Sequence, residues 1–149
     1  MRKRGWQLLL SGCILLVLVG CASAPKRRNL ALDAYSATPA GPEMYRIQYR
    51  GDATAASHER IVDFALAYAS QLTADNGARY FAVIDEAKST GGEIHYYADE
   101  IEIAKKADPK ALVVQVFPHR PKRILVFRAG HTAEVVYEKY GLNRRPEAM

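Results

Sequence analysis

Residues 58–77, HERIVDFALAYASQLTADNG, decide the fold class. Ile61, Ala65, Tyr68, Ala69 and Leu72 fall on one helical stripe, widened by Val62, Phe64 and Leu66, while Glu59, Arg60, Asp63, Ser70 and Gln71 suit a wet face. The spacing predicts a helix from about His58 to Asn76. Ser57 stands at the N-cap position, Glu59 complements the helix dipole, and Gly77 accepts the left-handed conformation that ends a helix. On the N-terminal side, Tyr45-Arg46-Ile47-Gln48-Tyr49-Arg50 alternates with period two and reads as a half-buried strand, with Tyr45, Ile47 and Tyr49 inward and Gly51-Asp52 closing it. On the C-terminal side, Tyr80-Phe81-Ala82-Val83-Ile84 is apolar on both faces and reads as a central strand. Strand, helix, strand makes a crossover whose two strands are expected to run parallel.

Further along, Lys88 to Gly92 is a turn cluster. Ile94 to Ile103 looks extended, with Ile101 and Ile103 out of phase with Ile94 and Tyr96, so a bulge or break is expected near Asp99-Glu100. Ala104 to Lys110 reads as a loop and Leu112 to Phe117 as another buried strand. Pro118 to Lys122 forms a turn. Arg123 to Arg128 reads as a strand antiparallel to the one before it. Ala133 to Tyr140 reads as a short helix, with Thr132 as its cap and Gly141 as its stop. The expected architecture is α+β: two layers, a mixed sheet of four or five strands and two helices, in the order β-α-β-β-β-β-α.

Upstream of this domain the sequence changes character. Arg2, Lys3 and Arg4 precede an apolar run, Leu8 to Val19, too short for a comfortable membrane span of ~20 residues but right for an export signal. Leu18-Val19-Gly20-Cys21 reads as a lipobox, with cleavage before Cys21 and acylation of its thiol. Ala22-Ser23-Ala24 offers a competing ordinary cleavage site, but Pro25 would then follow the scissile bond, a poor position for its ring. The expected divisions are a signal peptide at 1–20, a lipidated flexible tether at 21–43, the α+β domain at 44–143 and a tail at 144–149. A chain the length of the tether spans ~25 Å on average. Leu30, Leu32 and Tyr35 are candidates to pack back on the domain. Lys26-Arg27-Arg28 could meet anionic headgroups or serve as a solvated spacer.

Removing the signal takes Arg2, Lys3 and Arg4 from a net +5 and leaves 18 basic against 16 acidic residues, so the basic balance argues little for nucleic acid. Cys13 departs with the signal and Cys21 is consumed by lipid, so the folded part has no thiol for catalysis or a disulfide.

Sites of chemistry are sparse. His58, His95, His119 and His131 show no metal-ligand spacing. Asp85-Glu86 and Asp99-Glu100-x-Glu102 are acidic, but neighbours on a strand point to opposite faces, so neither dipeptide forms a catalytic pair by itself. Asp85 ends a buried strand, where sites often form; strand-end solvation is the competing reading. Nucleophile elbow, P-loop and dinucleotide fingerprints are missing from the sequence. No catalytic residue, metal ligand or cofactor is expected. Tyr45, Tyr49, Tyr96 and Tyr97 could furnish an interface on a sheet face left open by the helices. Arg120, Lys122 and Arg123 make a basic knob at the turn, a candidate contact for anionic envelope polymer or lipid; a solvated turn is the competing reading.

The run YRIQYRG, the helix ERIVDFALAYASQLTADNG and the strand YFAVIDE, between Tyr45 and Glu86, resemble a family of small uncharacterised proteobacterial lipoproteins. That family shows a lipobox, a short tether, a strand ending in Phe/Tyr-x-Gly, an Ala-rich helix and a strand beginning Tyr-Phe. The resemblance covers Cys21 and the first half of the domain and weakens after Gly92, although Ala133-Glu134-Val135 is also similar. Gly51-Asp52 stands where the family has Gly-Asn. The resemblance implies location and architecture and carries no activity. Ala22, in place of Asp, implies export to the outer membrane in lipoproteins of this kind, with the inner membrane as the alternative.

The expectation is therefore a membrane-anchored periplasmic lipoprotein, a binding or scaffold module of the envelope with no nucleic-acid partner. Its partners would be the membrane through Cys21 and an envelope protein or wall polymer. Peptidoglycan or lipopolysaccharide binding through the knob is the first alternative, and an envelope hydrolase using Asp85, Glu86 or a histidine the second.

Overall fold

A computed structural model describes residues 32–142. The signal, the lipobox with Cys21, Lys26-Arg27-Arg28, Leu30 and the tail at 144–149 lie outside the described residues. The elements are β1 (Tyr35–Gly41), β2 (Met44–Tyr49), α1 (His58–Asp75), β3 (Tyr80–Val83), α2 (Glu100–Lys106), β4 (Ala111–Phe117), β5 (Phe127–Arg128) and α3 (Ala129–Lys139). They form an α+β domain with one five-stranded sheet, ordered β1-β2-β4-β3-β5.

Three elements meet their sequence reading closely. α1 begins on Ser57, whose hydroxyl accepts the Arg60 amide at 3.2 Å, and Gly77 follows its end at φ +70°. Its stripe buries Ile61, Phe64, Ala65 and Ala69 against the sheet. β2 turns Ile47 inward to 1 % exposure, with Tyr45 and Tyr49 packed beside it. Phe81 in β3 is fully buried and stacks on Phe127 of β5, centroids 5.1 Å apart.

The sheet differs from the expected mixed one. Every neighbouring pair is antiparallel. β2 and β3 both oppose β4 and so run parallel to each other, as the crossover requires, but β4 is inserted between them. β4 suits the middle because it is apolar on both faces. Leu112, Val114 and Val116 face the helices, and Val113, 5 % exposed, faces the other way.

Within the stretch read as tether lies the edge strand β1. Leu32 and Tyr35 are each 5 % exposed, so the folded unit begins by residue 32, ahead of the boundary expected at residue 44. Pro39, Gly41 and Pro42 are what made the stretch look like a linker. Pro39 sits on the outermost strand, where its missing N–H forfeits no ladder bond, and the register shifts between Pro39 and Gly41. The hairpin to β2 turns through Glu43 at φ 57°.

The expected extension from Ile94 to Ile103 is also corrected. Tyr96 makes a single bridge to Ile84, and α2 follows. The phase break marks a helix start: the Asp99 carboxylate caps the Glu102 amide at 2.7 Å. Residues two apart face opposite ways on a helix, which is why Ile103 is 1 % exposed and Ile101 64 %.

The last expected strand, Arg123 to Arg128, shrinks to Phe127–Arg128, and it pairs with β3 instead of β4. Arg123 takes φ 70°, which interrupts any ladder before it. α3 starts at Ala129, earlier than the expected Ala133, with Arg128 at its cap position and no side-chain cap. Gly141, at φ +66°, ends it as expected.

Replacing Ile103 with alanine is expected to cost about 2–5 kcal/mol in urea unfolding, and Ile101→Ala less than about 0.5 kcal/mol. Equal costs at the two positions would contradict the helical assignment of 100–106.

Candidate functional site

The sheet has two ends, and the chemistry is divided between them. One end is set by the first strand: Tyr35 pairs with Tyr49, the Tyr49 amide donates to the Lys110 carbonyl at 3.1 Å, and the Arg50 amide donates to the Ala34 carbonyl at 2.8 Å. At the other end Tyr80 pairs with Phe117 and with Arg128. There the Arg79 amide donates to the Phe117 carbonyl at 3.1 Å and its carbonyl accepts the Ala129 amide at 3.0 Å. β4 runs from one end to the other, roughly 20–25 Å at strand spacing.

Arg120, Lys122 and Arg123 are all exposed on the connector from Phe117 to Phe127, which leaves β4 at the second end. The sequence reading found these three. It did not find Arg79 and Arg128, which are 49 residues apart in sequence and become neighbours only through the pairing of β3 with β5.

Asp85 is 3 % exposed. Its carboxylate accepts the Lys88 amide at 3.3 Å and pairs with the Lys88 ammonium at 3.1 Å. That ammonium also reaches Glu102 at 3.1 Å, and Glu102 takes Lys106 at 2.7 Å and the Ala98 amide at 3.2 Å. With Lys106 as the main cause, then the Ala98 N–H and Lys88, the Glu102 carboxyl is pulled down to about 2. Asp85 first, then Glu102, holds the Lys88 ammonium above its ordinary range. Burial, with Asp85 next, pushes up the phenol of Tyr97. Chemically this chain of charges is a latch that ties α2 to the end of β3. Glu86 points away from it and is gripped by both terminal nitrogens of Arg46, at 3.0 and 2.5 Å. Asp99 caps α2, and Glu100 is exposed in its first turn.

The four tyrosines separate. Tyr45 donates to Asn76 at 2.8 Å, Tyr49 packs on Tyr35 with centroids 5.1 Å apart, and Tyr97 is in the core. Tyr96 covers the sheet face away from α1, donating to Gln115 at 2.5 Å. A depression of about 130 Å³ lies at the first end, lined by Tyr35, Tyr49, Ala56, Arg60, Ile61 and Phe64. Tyr35 donates from within it to the Ile61 carbonyl at 2.8 Å, and burial raises its phenol pKa. Arg60 lies over Phe64 and Tyr140, 5.4 and 5.0 Å from their centroids. Lys139 bridges α3 to Glu59 at 2.6 Å and to Asp63 at 2.7 Å.

His58 opens α1, His95 approaches Glu93 at 3.8 Å, His119 is in the turn and His131 is in the first turn of α3. Among the described residues no group of three or more His, Cys, Asp and Glu side chains is arranged to hold a metal ion. No helix of the described residues is long and apolar enough to cross a membrane.

No protein-family model, curated protein or solved structure matches the chain.

A carboxyl depressed in the folded state contributes stability above its ordinary value, and that contribution is lost as pH falls through the folded value. The stability difference between the native chain and Glu102→Gln is therefore expected to hold near neutrality. It should shrink from about pH 4.5 down to about 2 in urea melts at stepped pH. A difference independent of pH would contradict the latch.

Proposed function

We propose that this protein is a lipid-anchored periplasmic module of the cell envelope, acylated on Cys21, that binds or scaffolds an envelope component. The observation that carries the reading is the closeness of the folded unit to Cys21. Leu32 is already packed, and 11 residues can span at most about 40 Å. The domain would therefore work at the membrane surface. The basic n-region, the apolar run and the lipobox support anchoring, and the resemblance of Tyr45 to Glu86 to the proteobacterial lipoprotein family belongs to the same proposal. Ala22 favours the outer membrane, periplasmic face. The hydrolase alternative draws little support, because Lys88 occupies the Asp85 carboxylate and Arg46 that of Glu86.

Metabolic labelling with palmitate and membrane fractionation test the anchor. The native chain is expected to take up label and sediment with outer-membrane vesicles, and Cys21→Ala to lose the label and leave the membrane fraction. Unlabelled native protein, or label retained by Cys21→Ala, would overturn it.

A further inference from the structure

We infer that the depression between β1, β2 and the start of α1 is a binding site for a small organic acid, a carboxylate carried on an apolar body about the size of one ring. Arg60 takes the carboxylate, and Tyr35, Tyr49 and Phe64 take the ring. The inference goes beyond the anchored-module reading and does not depend on acylation of Cys21.

The first ground is the size and lining of the depression. Its volume of about 130 Å³ is close to the ~150 Å³ of an apolar cavity that holds a benzene molecule. Tyr35, Tyr49 and Phe64 supply aromatic wall, and Ala56 and Ile61 supply aliphatic wall. The rings of Tyr35 and Tyr49 are tilted at 45° with centroids 5.1 Å apart. The Tyr35 hydroxyl is spent on the Ile61 carbonyl at 2.8 Å, so the ring is what this side chain offers a guest.

The second ground is the guanidinium on that wall. Arg60 is held by the faces of Phe64 and Tyr140, at 5.4 and 5.0 Å, which occupy its flat side and not its N–H donors. The carboxylates beside it in sequence are already taken. Lys139 reaches Glu59 at 2.6 Å and Asp63 at 2.7 Å, and Asp63 also accepts the Tyr140 hydroxyl at 2.8 Å. The Asp52 carboxylate accepts the amide and hydroxyl of Thr54 at 2.8 and 2.7 Å. Other exposed cations, Arg50 and Lys110 among them, also lack an ion pair among the described residues. Arg60 is set apart by its place in the lining of an aromatic depression.

Together these select the ligand class. A guanidinium binds carboxylate through paired N–H donors, and rings accept a flat apolar body stacked or edge-on. The charge is felt inside the depression: burial first, then Tyr49, raises the Tyr35 phenol, and Arg60 opposes them. The Tyr49 hydroxyl makes only a long bond among the described residues, 3.5 Å to the Asp52 carbonyl, and is a second donor for the anion. An inorganic anion would leave the rings unused, and a neutral arene would leave Arg60 unused. A volume that one ring fills favours a free small acid over a chain end.

The test is an amide chemical-shift titration of the full chain, purified in detergent, at free ligand concentrations fixed by dialysis. Benzoate and phenylacetate are compared with acetate, which lacks the ring, with benzyl alcohol, which lacks the charge, and with a short peptide ending in phenylalanine. Arg60→Gln removes the guanidinium and Ala56→Leu fills the depression, and the amide spectra show whether each variant folds. Benzoate or phenylacetate is expected to shift the amides of Tyr35, Tyr49 and Ile61 saturably, with acetate and benzyl alcohol weaker by about tenfold or more. Arg60→Gln should weaken the acid by about tenfold and leave the alcohol unchanged, and Ala56→Leu should abolish both. No saturable shift with either acid, equal affinity for acid and alcohol, unchanged affinity in Arg60→Gln, shifts centred elsewhere, or a response only to the peptide would each overturn the proposal. Palmitate labelling of Cys21 bears on none of these outcomes, so a failure of either proposal is seen separately.

Discussion

The structure depends on covering β4 from both sides. Val114 is fully buried on one face and Val113 nearly so on the other, and a strand apolar on both faces gains from burial only if each face has a cover. α1 provides the first, with Ile103 of α2 and Val136 of α3 joining the same core. The second face is closed more economically. Tyr96 lies across it to Gln115, and the Arg46 to Glu86 pair spans β2 and the end of β3. Ala82 and Ile84 are buried on that side. The segment from Asp85 to Tyr97 thus covers part of this face, held by Tyr96 on Gln115 and by Glu86 on Arg46.

That division explains what could be read from the residues alone. α1, β2 and β3 carry their pattern within a short window, and the α+β class followed from them. Whatever depended on distant partners was not visible. β1 is made of small residues and prolines, and becomes a strand because Tyr35 to Gly41 can pair with β2 and seat Tyr35 under α1. The insertion of β4 between β2 and β3 is a choice among apolar strands that no local pattern specifies. The one misread period had a usable signal: Asp99 with Glu102 three residues later is a capping arrangement, and it outweighs the alternation of Ile101 and Ile103.

The candidate site divides in the same way. Arg120, Lys122 and Arg123 were legible as a run around two prolines. Arg79 and Arg128 were not, because only sheet pairing makes them neighbours. The acidic clusters were legible as charges, but their role was not, since the lysines that neutralise Asp85 and Glu102 act across a turn and a helix. Tyr35 and Tyr49 thus lie at one end of β4, and Arg79 and Arg120 near the other.

Attachment at the membrane is the central proposal, and distance from the bilayer tests it most directly. Nitroxide labels on Asp33→Cys and, separately, His119→Cys would be placed on the acylated chain in bilayers carrying nickel-chelating lipid. Both positions are exposed, and paramagnetic relaxation reports how near each label comes to the headgroups. The proposal predicts strong enhancement at residue 33 that is lost when the lipid on Cys21 is absent. No enhancement at either position, or the same enhancement without the lipid, would contradict it.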